Sequence, residues 1–165
     1  MFIVITTAVG TGPTEIAAFD HALSLAGVNN YNLLCLSSVI PIKSKIIKQE
    51  GIITERLGSW GDRLYVVMAK EITNSVNEEV YAGIGWMQAE DGRGLFVEHH
   101  GNSEASVKLD INDSLTALRK HRSHIIFNED QFVLQGARCN GSYTCALAIA
   151  IYQVSDWDNN SFYYK

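Results

Sequence analysis

Proline is scarce in this chain, with two among 165 residues, and no lysine- or arginine-rich run occurs beyond Arg119, Lys120 and Arg122. No linker or low-complexity segment divides the chain, so one domain with a substantial core is expected. The lack of a basic patch argues against a nucleic-acid partner, and the formal charge of −5 suits a small cationic ligand. No window reaches the ~18 uninterrupted apolar residues that a membrane-spanning helix needs, so no membrane partner is expected. The start, MFIVITTAVGTG, lacks the basic leader of a secretory signal and reads as a first strand. Cysteine is also sparse. Cys35, Cys139 and Cys145 are odd in number and lack zinc-type spacing, so they read as reduced, buried thiols of a cytoplasmic protein.

What remains is a pattern of strands and two helices. Residues 2–8 suit a strand, broken by Gly10, Gly12 and Pro13. Thr14 can cap a helix with Glu15 in its first turn, Ile16, Phe19, Leu23 and Ala26 at helical spacing, and Gly27 as a left-handed stop. The stretch NLLCLSSVIP, residues 32–41, reads as one strand closed by Pro41. Strands are expected at 46–54 and 64–70, and a hairpin joins 80–89 to 93–99 across Glu90, Asp91 and Gly92. Ser103 caps a second helix with Val107, Ile111, Leu115 and Leu118 on one face. Two further strands fall near 124–138 and 143–152, and the tail from Ser155 has no assigned element. The order gives an α+β fold, with two helices covering outer sheet faces in a layered sandwich.

The serine pair inside NLLCLSSVIP is the chemical anomaly, because such pairs belong in turns and helix caps. The Ser38 hydroxyl stands next to the carbonyl of Ser37 and can attack it, turning the peptide into an ester. Elimination across the Ser38 side chain then cuts the chain, and tautomerisation and hydrolysis leave a pyruvoyl group. That chemistry needs a strained or firmly held peptide and a donor for the developing oxyanion. Asn32 is the nearby donor in the sequence.

The run AFDHALSLAGVNNYNLLCLSSVIP, residues 18–41, resembles the processing region of the pyruvoyl-dependent arginine decarboxylases, which carry AFD and ALxxAG on a helix and then an NL strand ending in SSxxP. The likeness extends through GSWGDRLYVVMAKE, EEVYAGIGWM, GLFVEHHG and TCALAIAIY, so it covers nearly the whole chain. It implies the four-layer αββα sandwich of the pyruvoyl-dependent histidine and arginine decarboxylases. It also implies self-cleavage into residues 1–37 and 38–165, and trimers with active sites between subunits. By position, Ser38 matches the serine that becomes the pyruvoyl group, Ser37 the new carboxyl terminus, Glu98 the proton donor and Asn32 an asparagine beside the cleavage site. Asp20 matches a carboxylate that binds substrate, and Asn29, Tyr31 and Val39 fall at substrate-lining positions. Some relatives carry a glycine where this chain has Asn29, a departure that bears on pocket shape.

The implied activity is decarboxylation of L-arginine to agmatine through a Schiff base on a covalent pyruvoyl group, with neither PLP nor metal. Phe96 shares a strand face with Glu98, and an apolar wall there would favour the protonated acid that such a reaction needs. Asp20, on the border of the first helix's apolar stripe, is expected to be half buried and to hold a guanidinium. Two alternatives stand: a pyruvoyl decarboxylase for another amino acid such as histidine, whose imidazole would leave Asp20 poorly paired, and a non-catalytic trimeric binding protein that stays uncut. The adjacent His99 and His100 point to opposite strand faces and cannot share a metal, and His121 and His124 lie at a basic helix end. The glycines of AVGTGP lack the lysine of a phosphate loop.

Overall fold

Strand alternation sets the architecture, and one strand shows it most clearly. In the computed structural model, which describes residues 1–53, 58–158 and 160–162, β9 spans Tyr143–Ser155. Its Cys145, Leu147, Ile149 and Ile151 face one way and its Ala146, Ala148 and Ala150 the other. Both faces are buried, so this strand lies at the centre of the protein.

The chain order is β1 (Phe2–Gly12), α1 (Glu15–Ala26), β2 (Asn32–Cys35), β3 (Val39–Ile40), β4 (Lys45–Lys48), β5 (Arg63–Thr73), β6 (Glu79–Gln88), β7 (Gly94–Gly101), α2 (Glu104–Lys120), β8 (Gln131–Arg138), β9 and β10 (Ser161–Phe162). One sheet runs β2-β5-β9-β1-β4 with β10 paired to β9, and the other runs β3-β7-β6-β8. The outer pairs of the first sheet, β2 with β5 and β1 with β4, are parallel, whereas every pair in the second is antiparallel.

Three apolar clusters stack these parts. Ala18, Ala22, Leu23 and Ala26 of α1 pack on Val4, Val66, Leu147 and Ile149 of the first sheet. The opposite face of that sheet, with Ile3, Ile5, Val67 and the β9 alanines, meets Ala82, Ile84, Trp86 and Phe96 of the second. Val107, Ile111 and Leu115 of α2 close over Met87, Leu95 and Val97 on the far side. Among the described residues the result is a mixed α+β fold of two sheets and two helices.

Helix ends follow their sequence signals. The Thr14 side chain accepts the Ala17 N–H at 3.2 Å, and Gly27 at φ 85° ends α1 with the Val28 N–H on the Leu23 carbonyl. Ser103 accepts the Ser106 N–H at the start of α2. The buried face of α1 keeps Phe19, Leu23 and Ala26 of the expected stripe but not Ile16. Ile16 is 80% exposed, and the small residues Ala18 and Ala22 lie against the sheet instead. Gly10 and Gly12, expected to break the first strand, lie within β1 and let the helix backbone approach it.

Other expectations shift at their edges. The strand expected at 46–54 is confined to Lys45–Lys48, and Thr54 lies outside the described residues. The segment before β8 is a series of turns rather than strand from 124. Cys139 and Cys145 are buried as expected, but Cys35 is exposed. Burial pushes the Cys145 thiol up to about 11.

A Cβ built on Gly10 would stand 2.2 Å from the Ala22 nitrogen and 2.3 Å from the Ala18 oxygen, backbone atoms that cannot yield cheaply. Gly10→Ala is therefore expected to destabilise the fold by about 1–3 kcal/mol or more, read as a lower urea midpoint. An unchanged midpoint would refute this close packing.

Candidate active site at the crossing between sheets

The stretch read as one serine-bearing strand is two strands in two different sheets. β2 pairs with β5 in the first sheet, and β3 pairs with β7 in the second. Residues 36–38 carry the chain across. Packed sheets lie ~10 Å apart and an extended residue spans at most ~3.6 Å, so the four steps from Cys35 to Val39 cover the gap with only a few ångströms to spare. The hydrophobic run disguises this crossing because both flanking strands are apolar. The serines occupy the connection, which explains why they interrupt the apolar pattern.

Both ends of the crossing are tied down. The Leu36 N–H donates to the Val66 carbonyl at 2.8 Å, and the Phe96 N–H donates to the Ser38 carbonyl at 2.8 Å. The Ser37–Ser38 peptide thus hangs between one anchor on each sheet. Ser38 has φ 71°, in the left-handed region that costs a residue with a side chain roughly 1–2 kcal/mol. Its hydroxyl donates to the Glu98 carboxylate. One residue on, the buried Tyr152 hydroxyl donates to the Val39 carbonyl at 3.1 Å. Burial pushes the Tyr152 phenol well above the usual tyrosine range, and the negative charge of Glu98 adds to the shift.

Ser37, Ser38, Val39 and Glu98 share a cavity of about 450 Å³, walled by Phe96 and His99 of β7 and by Ser114, Leu118 and Arg122 on or just beyond α2. The His99 ring bonds the Ser114 hydroxyl at 2.8 Å. His100, on the opposite face as expected, pairs with Glu71 of β5 at 2.5 Å. The remaining expected site residues lie elsewhere. Asn29 and Tyr31 line a second cavity of about 450 Å³ with Gly27, Ile53 and Trp60. Asp20 is exposed on α1, not half buried, and lines neither cavity. Asn32 also lines neither, and its side-chain amide donates to the Gly61 carbonyl at 2.5 Å.

Sequence reading missed Tyr152 and Arg122. Tyr152 sits deep in the β9 apolar run, and Arg122 reads as part of a basic helix end. Only the fold brings either to the serine crossing.

Among the described residues, two sheets and two helices of a mixed α+β protein frame a left-handed serine bonded to a glutamate where the chain changes sheets. A model of the family described as "Pyruvoyl-dependent arginine decarboxylase (PvlArgDC)" matches residues 2–156, and the chain belongs to that family. Relatives bearing the name pyruvoyl-dependent arginine decarboxylase include one from Picrophilus torridus, 32% identical over 102 residues that cover 60% of this chain and 54% of the relative. One from Thermoplasma volcanium is 35% identical with the same coverage. One from Halobacterium salinarum is 38% identical over 107 residues, 65% of this chain and 63% of the relative. The match thus spans little more than half the length of these curated relatives.

Because the fold favours neutral Tyr152, its stabilisation is complete below the ordinary tyrosine pKa of ~10 and is lost as pH rises toward the higher folded value. Above pH ~10 the unmodified protein should lose stability more steeply than Tyr152→Phe, by up to about 1.4 kcal/mol per pH unit. Denaturant midpoints across that range measure it, and parallel curves for the two proteins would count against a buried neutral phenol.

Proposed function

We propose that this protein cuts itself between Ser37 and Ser38 and then decarboxylates L-arginine to agmatine. The observation that carries this reading is the left-handed Ser38, held at a sheet crossing with its hydroxyl on Glu98, in a chain of this family. In the same reading the chain is one domain, an αββα sandwich of four layers, divided by cleavage into residues 1–37 and 38–165.

Cleavage conserves every atom of the chain except those exchanged with one water. Ser38 Oγ adds to the Ser37 carbonyl carbon and the Ser37–Ser38 C–N bond breaks, leaving an ester and a free amine. Loss of the residue-38 α-proton then expels the Ser37 carboxylate from Cβ. Tautomerisation and one water convert residue 38 to a pyruvoyl group and release ammonia. The two backbone anchors limit how far the peptide can relax before attack, and left-handed strain at Ser38 raises the starting state.

The surroundings of residue 38 suit such a group. The Phe96 N–H already holds its carbonyl, Phe96 and Val97 supply apolar walls, and Glu98 reaches its side-chain position. When formed, a pyruvoyl group supplies the electron-withdrawing carbonyl that takes an amino acid's amine and draws electrons as carbon dioxide leaves. Glu98 delivers the replacing proton to the α-carbon. Asp20 accepts the substrate guanidinium in charge-assisted bonds, and Asn29 and Tyr31 shape its approach. These three stand apart from the Ser38 cavity within one chain, a separation that supports a site shared between subunits, and the family resemblance makes the assembly a trimer in which one subunit brings Asp20 to another's Ser38.

Mass spectrometry is expected to find two fragments divided between Ser37 and Ser38, and Ser38→Ala a single chain of 18.3 kDa. One uncut mass for the unaltered protein sinks the proposal. Glu98→Gln keeps an oxygen that accepts the Ser38 hydroxyl, so it should cut normally but lose about 10²–10⁴-fold in turnover; full activity would remove Glu98 as proton donor. Asp20→Asn should raise KM for arginine about 10–100-fold, and carbon dioxide release from a panel of amino acids checks that guanidinium preference.

A further inference from the structure

Arg119 and Arg122 end the same helix region but are used differently. Arg119 is engaged, donating to the Phe127 and Asn128 carbonyls and pairing with Asp130. Arg122 is half buried, lines the Ser38 cavity, and makes one long bond, Nη1 to the Leu118 carbonyl at 3.4 Å. A guanidinium carries five N–H donors, and a single long bond leaves most of them available at the cavity wall. Among the described residues it forms no ion pair with a protein carboxylate. It also lines a smaller adjoining pocket of about 180 Å³ with Val39, Leu95 and Phe127, which supplies no acid either. The ionisable groups around the cavity are Glu98, His99 and Arg122, with Tyr152 close behind Glu98. Glu98 already accepts the Ser38 hydroxyl, and His99 is bonded to Ser114.

We propose that Arg122 binds a carboxylate in this cavity, and that this carboxylate is the carboxyl terminus created at Ser37 by cleavage. The inference rests on the self-processing reading. Ser37 lines the same cavity, one residue beyond Leu36, which stays bonded to Val66. The fresh terminus therefore cannot drift far. Cleavage converts a neutral peptide into an anion within the cavity, and a guanidinium there can pair with it in charge-assisted, bidentate hydrogen bonds. The substrate's own carboxylate is the other source of the same chemistry. A guanidinium bonded to it would stabilise the charged ground state more than a transition state in which that charge is leaving, and would slow the step. The Ser37 carboxylate keeps its charge throughout turnover. Arg122 is thus a positioning residue that fixes the end of the small chain and leaves Glu98 to the substrate.

The test compares Arg122→Gln in the cleaving protein and in the uncut Ser38→Ala background, by Tm at low salt and one scan rate, with intact mass measured on every sample. The substitution should lower Tm by about 2–4 °C more in the cut protein than in the uncut one. Arg122→Lys should keep most of that difference, and 1 M salt, with its ~3 Å screening length, should shrink it. Equal Tm losses in both backgrounds overturn the anchor and leave the processing reading standing. An unaltered protein that is never cut overturns both. Should Arg122→Gln not fold, Arg122→Met retains the apolar stem and serves in the same comparison. Should neither variant cut, the guanidinium acts before the break and the anchor is wrong. If Tm losses are equal while Arg122→Gln raises KM for arginine tenfold and leaves inhibition by agmatine unmoved, the guanidinium serves the substrate carboxylate and the proposal falls.

Discussion

Two backbone hydrogen bonds, Leu36 to Val66 and Phe96 to Ser38, hold one peptide between two sheets. Each bond alone is an ordinary amide contact, contributing about 1 kcal/mol net. Their joint effect is geometric. The first sheet fixes where the chain leaves, the second fixes where it arrives, and the chain between has little slack. The left-handed φ of Ser38 is the conformation that meets both demands. Glu98 belongs to the strand that provides the arrival anchor, so the carboxylate and the hydroxyl are located by the same β7 backbone.

The parts governed by local rules were legible in the sequence. Thr14, Gly27 and Ser103 mark helix ends through their own side chains or φ preference, and the structure keeps them there. The Glu90–Gly92 hairpin and the α2 stripe were readable for the same reason. The parts that depend on what lies across the core were hidden. Nothing in NLLCLSSVIP says that its halves belong to different sheets, because both halves are equally apolar. Ile16 fits the helical period yet faces outward, since the true contact face is set by glycines in the preceding strand. Asp20 is likewise exposed.

The site divides along the same line. Ser38 and Glu98 were named in sequence through resemblance, and the fold brings their side chains together from 60 residues apart. Tyr152 comes from 113 residues beyond Val39 and could not be matched to it by spacing. Arg122 needed the turn after α2 to reach the serine cavity. Asp20, Asn29 and Tyr31 occupy a different region of the chain, although they lie close to Ser38 in sequence.

The contact between β1 and α1 is backbone on backbone, with glycine on one side and alanine on the other. Main-chain atoms at Gly10 and Gly12 therefore limit how close that helix can come, while Leu23 and the sheet's apolar side chains fill the rest of the contact. A side chain added at either glycine would lift the helix and carry the outward rank of Ile16 and Asp20 away from the sheet with it.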